Sequence, residues 1–111
     1  MFNFFRKSSS VRDVAPQEAK QLIDAGALVV DVREDFEWAH GHLPGSRHLP
    51  AGRLAAELDS LPRDRELILI CASGSRSSHL CAALERHGFA NLYNLSGGIY
   101  AWMRSGLPVV R

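Results

Sequence analysis

The chain carries two cysteines, and their surroundings differ. Cys71 opens the segment Cys71-Ala72-Ser73-Gly74-Ser75-Arg76-Ser77, which lies between the aliphatic run Leu67-Ile68-Leu69-Ile70 and an amphipathic stretch. A short loop of small residues with one glycine can curl so that several backbone N–H groups point inward, and such a concavity binds anions. The start of a following helix adds unpaired N–H donors and the positive end of its dipole. Arg76 adds a full charge. A cysteine sulfur in that cradle favours its thiolate, because thiol pKa values fall from ~8.5 to ~3.5–7.5 at helix N-termini or beside cations. Cys71 is therefore the candidate nucleophile. Ala72, Ser73, Gly74, Ser75, Arg76 and Ser77 are the candidate anion-binding residues. On its own, a cysteine ending an apolar strand is an ordinary small hydrophobe; the composition and position of this loop argue for chemistry instead. Cys81 falls on the apolar stripe of the next helix and reads as core packing.

Other polar residues fit structural roles. Asp31 and Arg33 flank the end of an apolar run, and buried charges are usually paired. They read as an ion pair or as turn hydrogen bonds that support the loop, with a direct substrate role for Arg33 as the alternative. His40, His42 and His48 invite a metal reading, but no carboxylate or thiol completes a ligand set, so no metal is expected. His42 reads as a hydrogen-bonded turn residue. His79 faces solvent or the pocket. Trp38 and Trp102 read as core or pocket wall, and Arg63 to Glu66 as a solvated turn.

Alternating helical and extended signals from Val11 onward must position these residues. Pro16 suits a first helical turn, Ala19, Leu22 and Ile23 share a stripe, and Gly26 ends the helix. Leu28 to Val32 has the β-branched character of a strand buried on both faces. A short helix over Glu34 to His40 ends at Gly41, and His42 to Gly45 turns the chain. Arg47 to Leu49 reads as a brief strand, and Ala51 to Leu58 as a helix with Leu54, Ala55 and Leu58 inward. Leu67 to Ile70 is the strongest strand and belongs at the sheet centre. A helix over Ser77 to His87 turns Leu80, Cys81 and Leu84 inward. Leu92 to Leu95 is a last strand, Gly97-Gly98 a turn, and Ile99 to Arg104 a final helix. Such alternation implies an α/β domain with helices on both faces of a mainly parallel sheet of about five strands. Ligands in such sheets bind beyond the carboxyl ends of the strands, where Cys71 falls.

The length of 111 residues suits one domain with its own core. A net charge of +1 and 46% hydrophobic residues give no basic or acidic bias, so neither nucleic acid nor a membrane surface is an expected partner. No stretch approaches a bilayer span. Two cysteines are too few for a disulfide-stapled secreted scaffold, so a reducing, cytoplasmic setting is expected. Residues 1–10 read as a tail and 11–111 as the domain. Phe2, Phe4 and Phe5 form either a loosely packed end or a small docking or membrane-touching patch, since apolar and basic residues together can seek an interface.

Four segments in order resemble the rhodanese family, over about Val11 to Val109. The most specific is Cys71-x-x-Gly74-x-Arg76-Ser77, which is similar to the family's active-site loop. Val30-Asp31-Val32-Arg33-Glu34 resembles its strand-and-turn signature. Gly41-His42-Leu43-Pro44-Gly45-Ser46 resembles its Gly-His-Ile-Pro-Gly-Ala turn, with Leu43 and Ser46 as mild departures. Leu95-Ser96-Gly97-Gly98-Ile99-Tyr100-Ala101-Trp102 resembles its closing segment. The resemblance implies a single rhodanese-like domain acting as a sulfurtransferase. Cys71 would take sulfane sulfur from an anionic donor such as thiosulfate, hold it as a persulfide, and yield it to cyanide or a thiol. No cofactor is implied. Two rivals stand beside this reading. One is a persulfide carrier or regulatory module working with a protein partner, such as a protein sulfur acceptor. The other is a cysteine-dependent phosphatase or arsenate reductase, whose loops place five residues between Cys and Arg, whereas four separate Cys71 from Arg76. That tighter ring suits one added sulfur atom better than a tetrahedral oxyanion.

Overall fold

Leu67–Ile70 is apolar at every position because both of its faces are covered. It is the middle strand of a five-stranded sheet. The computed structural model describes residues 10–111. The strands are β1 (Arg12–Val14), β2 (Leu28–Asp31), β3 (Arg47–His48), β4 (Leu67–Ile70) and β5 (Leu92–Leu95). They lie in the order β1-β5-β4-β2-β3, and each pairing is parallel. The helices are α1 (Pro16–Asp24), α2 (Asp35–Ala39), α3 (Ala51–Leu54), α4 (Ser75–Arg86) and α5 (Gly98–Arg104).

Side chains alternate across a strand, so the two faces of β4 build two cores. Leu67, Leu69 and Cys71 point to one face and pack with Leu54, Cys81, Leu84 and Phe89 of the α3 and α4 side. Ile68 and Ile70 point to the other and pack with Ala19, Leu43, Ile99 and Trp102 of the α1 and α5 side. Cys71 thus continues the α4-facing row of β4. Each fully buried aliphatic side chain contributes about 1.5–3 kcal/mol, which fixes the strand end from which the loop departs.

Three local features differ from the sequence pattern. β1 carried no clear signal, since Arg12 and Asp13 are exposed and only Val14 is buried; an edge strand of three residues needs one inward side chain. The expected helix over Ala51 to Leu58 breaks at Leu54 into a 3-10 turn over Ala55–Ser60, with Glu57 outside helical geometry at φ −117° and Ala55 exposed. With so few inward residues, packing does not enforce a longer helix. α4 starts at Ser75, two residues earlier than expected, with Gly74 as its N-cap at φ 103°. Left-handed geometry there lets the chain turn from strand into helix within a loop of Cys71 to Gly74. Among the described residues no helix is long and apolar enough to cross a membrane. The tail, including Phe2, Phe4 and Phe5, lies outside the described residues apart from Ser10.

Candidate functional site

The early start of α4 makes Ser75, Arg76 and Ser77 its first turn, whose N–H groups have no intrahelical partners. Two amides converge on the Cys71 sulfur: Gly74 N–H at 3.1 Å and Ser77 N–H at 3.4 Å. The Ser77 hydroxyl lies 3.3 Å from the same atom. Burial alone pushes the Cys71 thiol up; the Ser77 hydroxyl and the amides of Ser77, Gly74 and Ser73 outweigh it and hold it below the ordinary thiol value. Cys71 is 1% exposed, so the sulfur is the floor of the loop rather than an open surface group. Cys81 is the contrast: burial, followed by the negative charges around it, pushes its thiol up to about 12. It packs in the core with its Sγ 3.5 Å from the Tyr93 carbonyl.

The loop is held from below by the start of α5. Ile99 N–H donates to the Cys71 carbonyl at 2.9 Å and Tyr100 N–H to the Ala72 carbonyl at 3.3 Å. That approach requires Gly98, at φ 60°: a β-carbon there would meet the Cys71 carbonyl oxygen at 2.5 Å, and the Ala72 carbonyl oxygen closer still.

Arg76 reaches α2 rather than the sulfur. Its guanidinium grips Glu37 through two bonds of 2.9 and 3.0 Å. That contact, ahead of an opposing burial effect, holds the Glu37 carboxyl down at about 2, and Glu37 in turn raises Arg76. The charge expected to stand free in the cradle is therefore shared with a carboxylate, a partner that no spacing rule links to it across 39 residues.

Asp31 and Arg33 form a buried ion pair, with Arg33 Nε donating to Oδ1 at 2.9 Å and Nη2 to Oδ2 at 2.8 Å. Arg33 also donates to the carbonyls of Gly41 at 2.7 Å and Glu37 at 3.3 Å, and its own carbonyl faces His48 Nε2 at 2.7 Å. The pair ties the end of β2 to α2 and so to Glu37. Trp38 stacks on the rings of His42 and His48 at centroid distances of 3.5 and 4.6 Å. His42 Nδ1 meets the Trp38 carbonyl and His40 Nδ1 the Phe36 carbonyl, so these rings serve the turn. His79 is exposed, against the Ser75 carbonyl. Among the described residues no group of three or more His, Cys, Asp or Glu side chains could hold a metal ion.

Beside the loop runs a cleft of about 330 Å³, lined by Phe36, Glu37, His40, Ala72, Tyr100 and Met103 among others. Phe36, Tyr100 and Met103 are 68%, 54% and 46% exposed, so the rim is apolar. Ser73 and Ser75 are exposed, and Ala72 half-buried at the cleft wall.

Besides Glu37, a residue in contact with Ser77 carried little sequence signal. Asn94, on β5, is 4% exposed and accepts from the Ser77 hydroxyl at 2.6 Å. Its only sequence signal was a polar residue inside an apolar strand pattern.

Comparison with known proteins places the fold in a family. The sequence model of the rhodanese-like domain family matches residues 15–105. A protein named sulfurtransferase from Allochromatium vinosum is 41% identical over 83 residues, covering 75% of this chain and 78% of that one. Thiosulfate sulfurtransferase GlpE from Pseudomonas aeruginosa is 36% identical over 101 residues, 91% of each chain. The crystal structure of a rhodanese-related protein from Thermoplasma volcanium superposes with a TM-score of 0.84 at 34% identity, covering 89% of this chain and 97% of that one. Matched from its first helix to its last, the chain belongs to the rhodanese-like domain family.

Proposed function

We propose that the protein is a rhodanese-type sulfurtransferase with Cys71 as the sulfur-carrying nucleophile. The observation that carries the reading is the convergence of Gly74 N–H, Ser77 N–H and the Ser77 hydroxyl on one sulfur at the carboxyl end of the central strand. The Cys71 thiolate attacks the outer sulfur of a sulfane donor such as thiosulfate. The donor's S–S bond breaks, sulfite leaves with the bonding pair, and a new S–S bond forms on Cys71. A second nucleophile, cyanide or a thiol, attacks the outer sulfur of that persulfide and returns the thiolate. This is covalent catalysis with ping-pong kinetics, and neither step needs a metal or an organic cofactor. A reducing, cytoplasmic setting would keep both cysteines as thiols, the form in which they stand.

The loop residues divide the work. Gly74 and Ser77 hold charge on Sγ, while Ala72, Ser73 and Ser75 form the wall through which donor and acceptor pass. An S–S bond of ~2.05 Å carries the outer sulfur beyond the buried Sγ, toward the acceptor. Arg76, balanced by Glu37, orients an anionic donor rather than concentrating it. Asp31 and Arg33 support the wall from behind.

A specific observation favours the carrier reading as a second possibility: the apolar rim of Phe36, Tyr100 and Met103 next to Ala72 suits a protein acceptor bearing its own thiol. The phosphatase reading has less support, since the loop donors meet at Sγ itself. Incubation with thiosulfate and cyanide is expected to give thiocyanate that Cys71→Ser does not. Phosphate release from an aryl phosphate without thiocyanate would reject the proposal.

A further inference from the structure

Ser77 Oγ has one proton and three acceptors in reach. Asn94 Oδ1 is nearest at 2.6 Å, followed by Cys71 Sγ and the Gly74 carbonyl, each at 3.3 Å. The orientation of the Asn94 amide is set by its other end. Nδ2 faces the Gly74 carbonyl at 3.2 Å and Asp13 Oδ1 at 3.1 Å, both of them acceptors, so it is Oδ1 that faces Ser77. Ser77 is fully buried and Asn94 nearly so, and water does not offer either a substitute partner.

We propose that Asn94 is a positioning residue for the candidate nucleophile: its Oδ1 competes with Cys71 Sγ for the single hydroxyl proton of Ser77, so the hydroxyl turns to the sulfur only while the sulfur is an anion. With a neutral thiol, the Ser77 hydroxyl donates to Asn94 and the S–H points back at Ser77 Oγ. When Sγ loses its proton, a charge-assisted bond, about twice as strong as a neutral one, draws the hydroxyl across. When Sγ forms its bond to a transferred sulfur, the charge leaves it and the hydroxyl returns to Asn94. No O–H bond breaks in this cycle; only the hydroxyl rotates. Asn94 thereby keeps the thiolate from being over-stabilised, which matters because nucleophilicity falls as thiol acidity rises. The inference rests on the reading of Cys71 as the nucleophile.

Among the described residues, the charged and titratable groups that face this network are Arg76 and Cys81 of α4, Glu37 of α2 behind Arg76, and Asp13 of β1 behind Asn94. All are present in every variant below; the Asn94 variants also release Asp13 from its bond to Nδ2, an effect that comparing the double variant with Ser77→Ala reads by itself. The test is the pH dependence of Cys71 alkylation in the full chain, read at the Cys71 peptide by mass spectrometry. Asn94→Ala frees the hydroxyl for Sγ and is expected to give roughly five- to tenfold more thiolate at a fixed pH below the titration. Ser77→Ala is expected to move the profile the opposite way, and the double variant to match Ser77→Ala alone. Asn94→Val, a good strand former of similar size, carries the same expectation if the alanine variant does not fold. A purely structural Asn94 gives a different pattern: its loss loosens Gly74, and the profile moves toward the ordinary thiol. That direction, or an Asn94 effect that persists without Ser77, overturns the inference. The readout does not depend on sulfur transfer. Profiles that move as expected in a protein that gains no sulfur from thiosulfate would sink the proposed function and leave this inference standing.

Discussion

Gly98→Ala tests how the fold holds the reacting loop. A β-carbon at residue 98 would lie 2.5 Å from the Cys71 carbonyl oxygen, where contacts below 3.0 Å are essentially never tolerated, so something must move by about 0.5 Å or more. The obstacles are backbone atoms, which cannot rotate away. Left-handed geometry at φ 60° adds about 1–2 kcal/mol for a residue with a side chain. Forced displacement in a packed site adds about 1–3 kcal/mol. A total near 3 kcal/mol corresponds to a fall in Tm of roughly 10–20 °C for a domain of this size. Gly45→Ala is the control: φ is 74° there, but nothing lies within 4 Å, so only the conformational cost applies. The displacement also breaks the bonds from Ile99 and Tyr100 to the Cys71 and Ala72 carbonyls and moves Gly74 and Ser77 off the sulfur. Thermal unfolding and the pH profile of Cys71 alkylation read the two effects. Gly98→Ala is expected to lose more stability than Gly45→Ala and to shift its alkylation profile to higher pH, with no such shift for Gly45→Ala. Equal losses and equal profiles would refute the idea that α5 sets the loop.

Glu37→Gln removes the partner of Arg76. The pair is partly open to solvent, which limits its contribution to about 1 kcal/mol. Because the folded carboxyl is depressed to about 2 from 4.5, that stability is present above the ordinary value and is lost as pH falls from about 4.5 toward 2. Acid unfolding of Glu37→Gln should therefore be flatter across that window than that of the unaltered protein, and its KM for thiosulfate lower at pH 7; parallel acid curves would count against the pairing. Asp31→Asn leaves Arg33 buried without its counter-charge and is expected to cost about 3–5 kcal/mol in urea unfolding. A loss below about 1 kcal/mol would mean that the pair is not what ties β2 to α2.

The parts legible in the sequence were those written in local pattern. The aliphatic run of β4, the small residues after it and the stripe of α4 are contiguous, and each has a period or a turn residue that announces it. The residues that escaped act across the sheet or across the chain. Asn94 meets Ser77 only because β5 lies beside β4, in a register that sets Leu69 opposite Asn94. Glu37 meets Arg76 only because Arg33 draws α2 over the loop. β1 was invisible because two of its three residues face solvent. The broken helix after Ala51 shows the converse: a plausible apolar spacing without enough buried positions to enforce it.

The central claim is that a sulfur anion is stable on Cys71 and can accept a second sulfur there. Peptide-resolved mass spectrometry after incubation with thiosulfate addresses it most directly. One added sulfur atom on the Cys71 peptide, removed by cyanide and absent in Cys71→Ser, is the expected result. Addition at Cys81, or at neither cysteine, would contradict it.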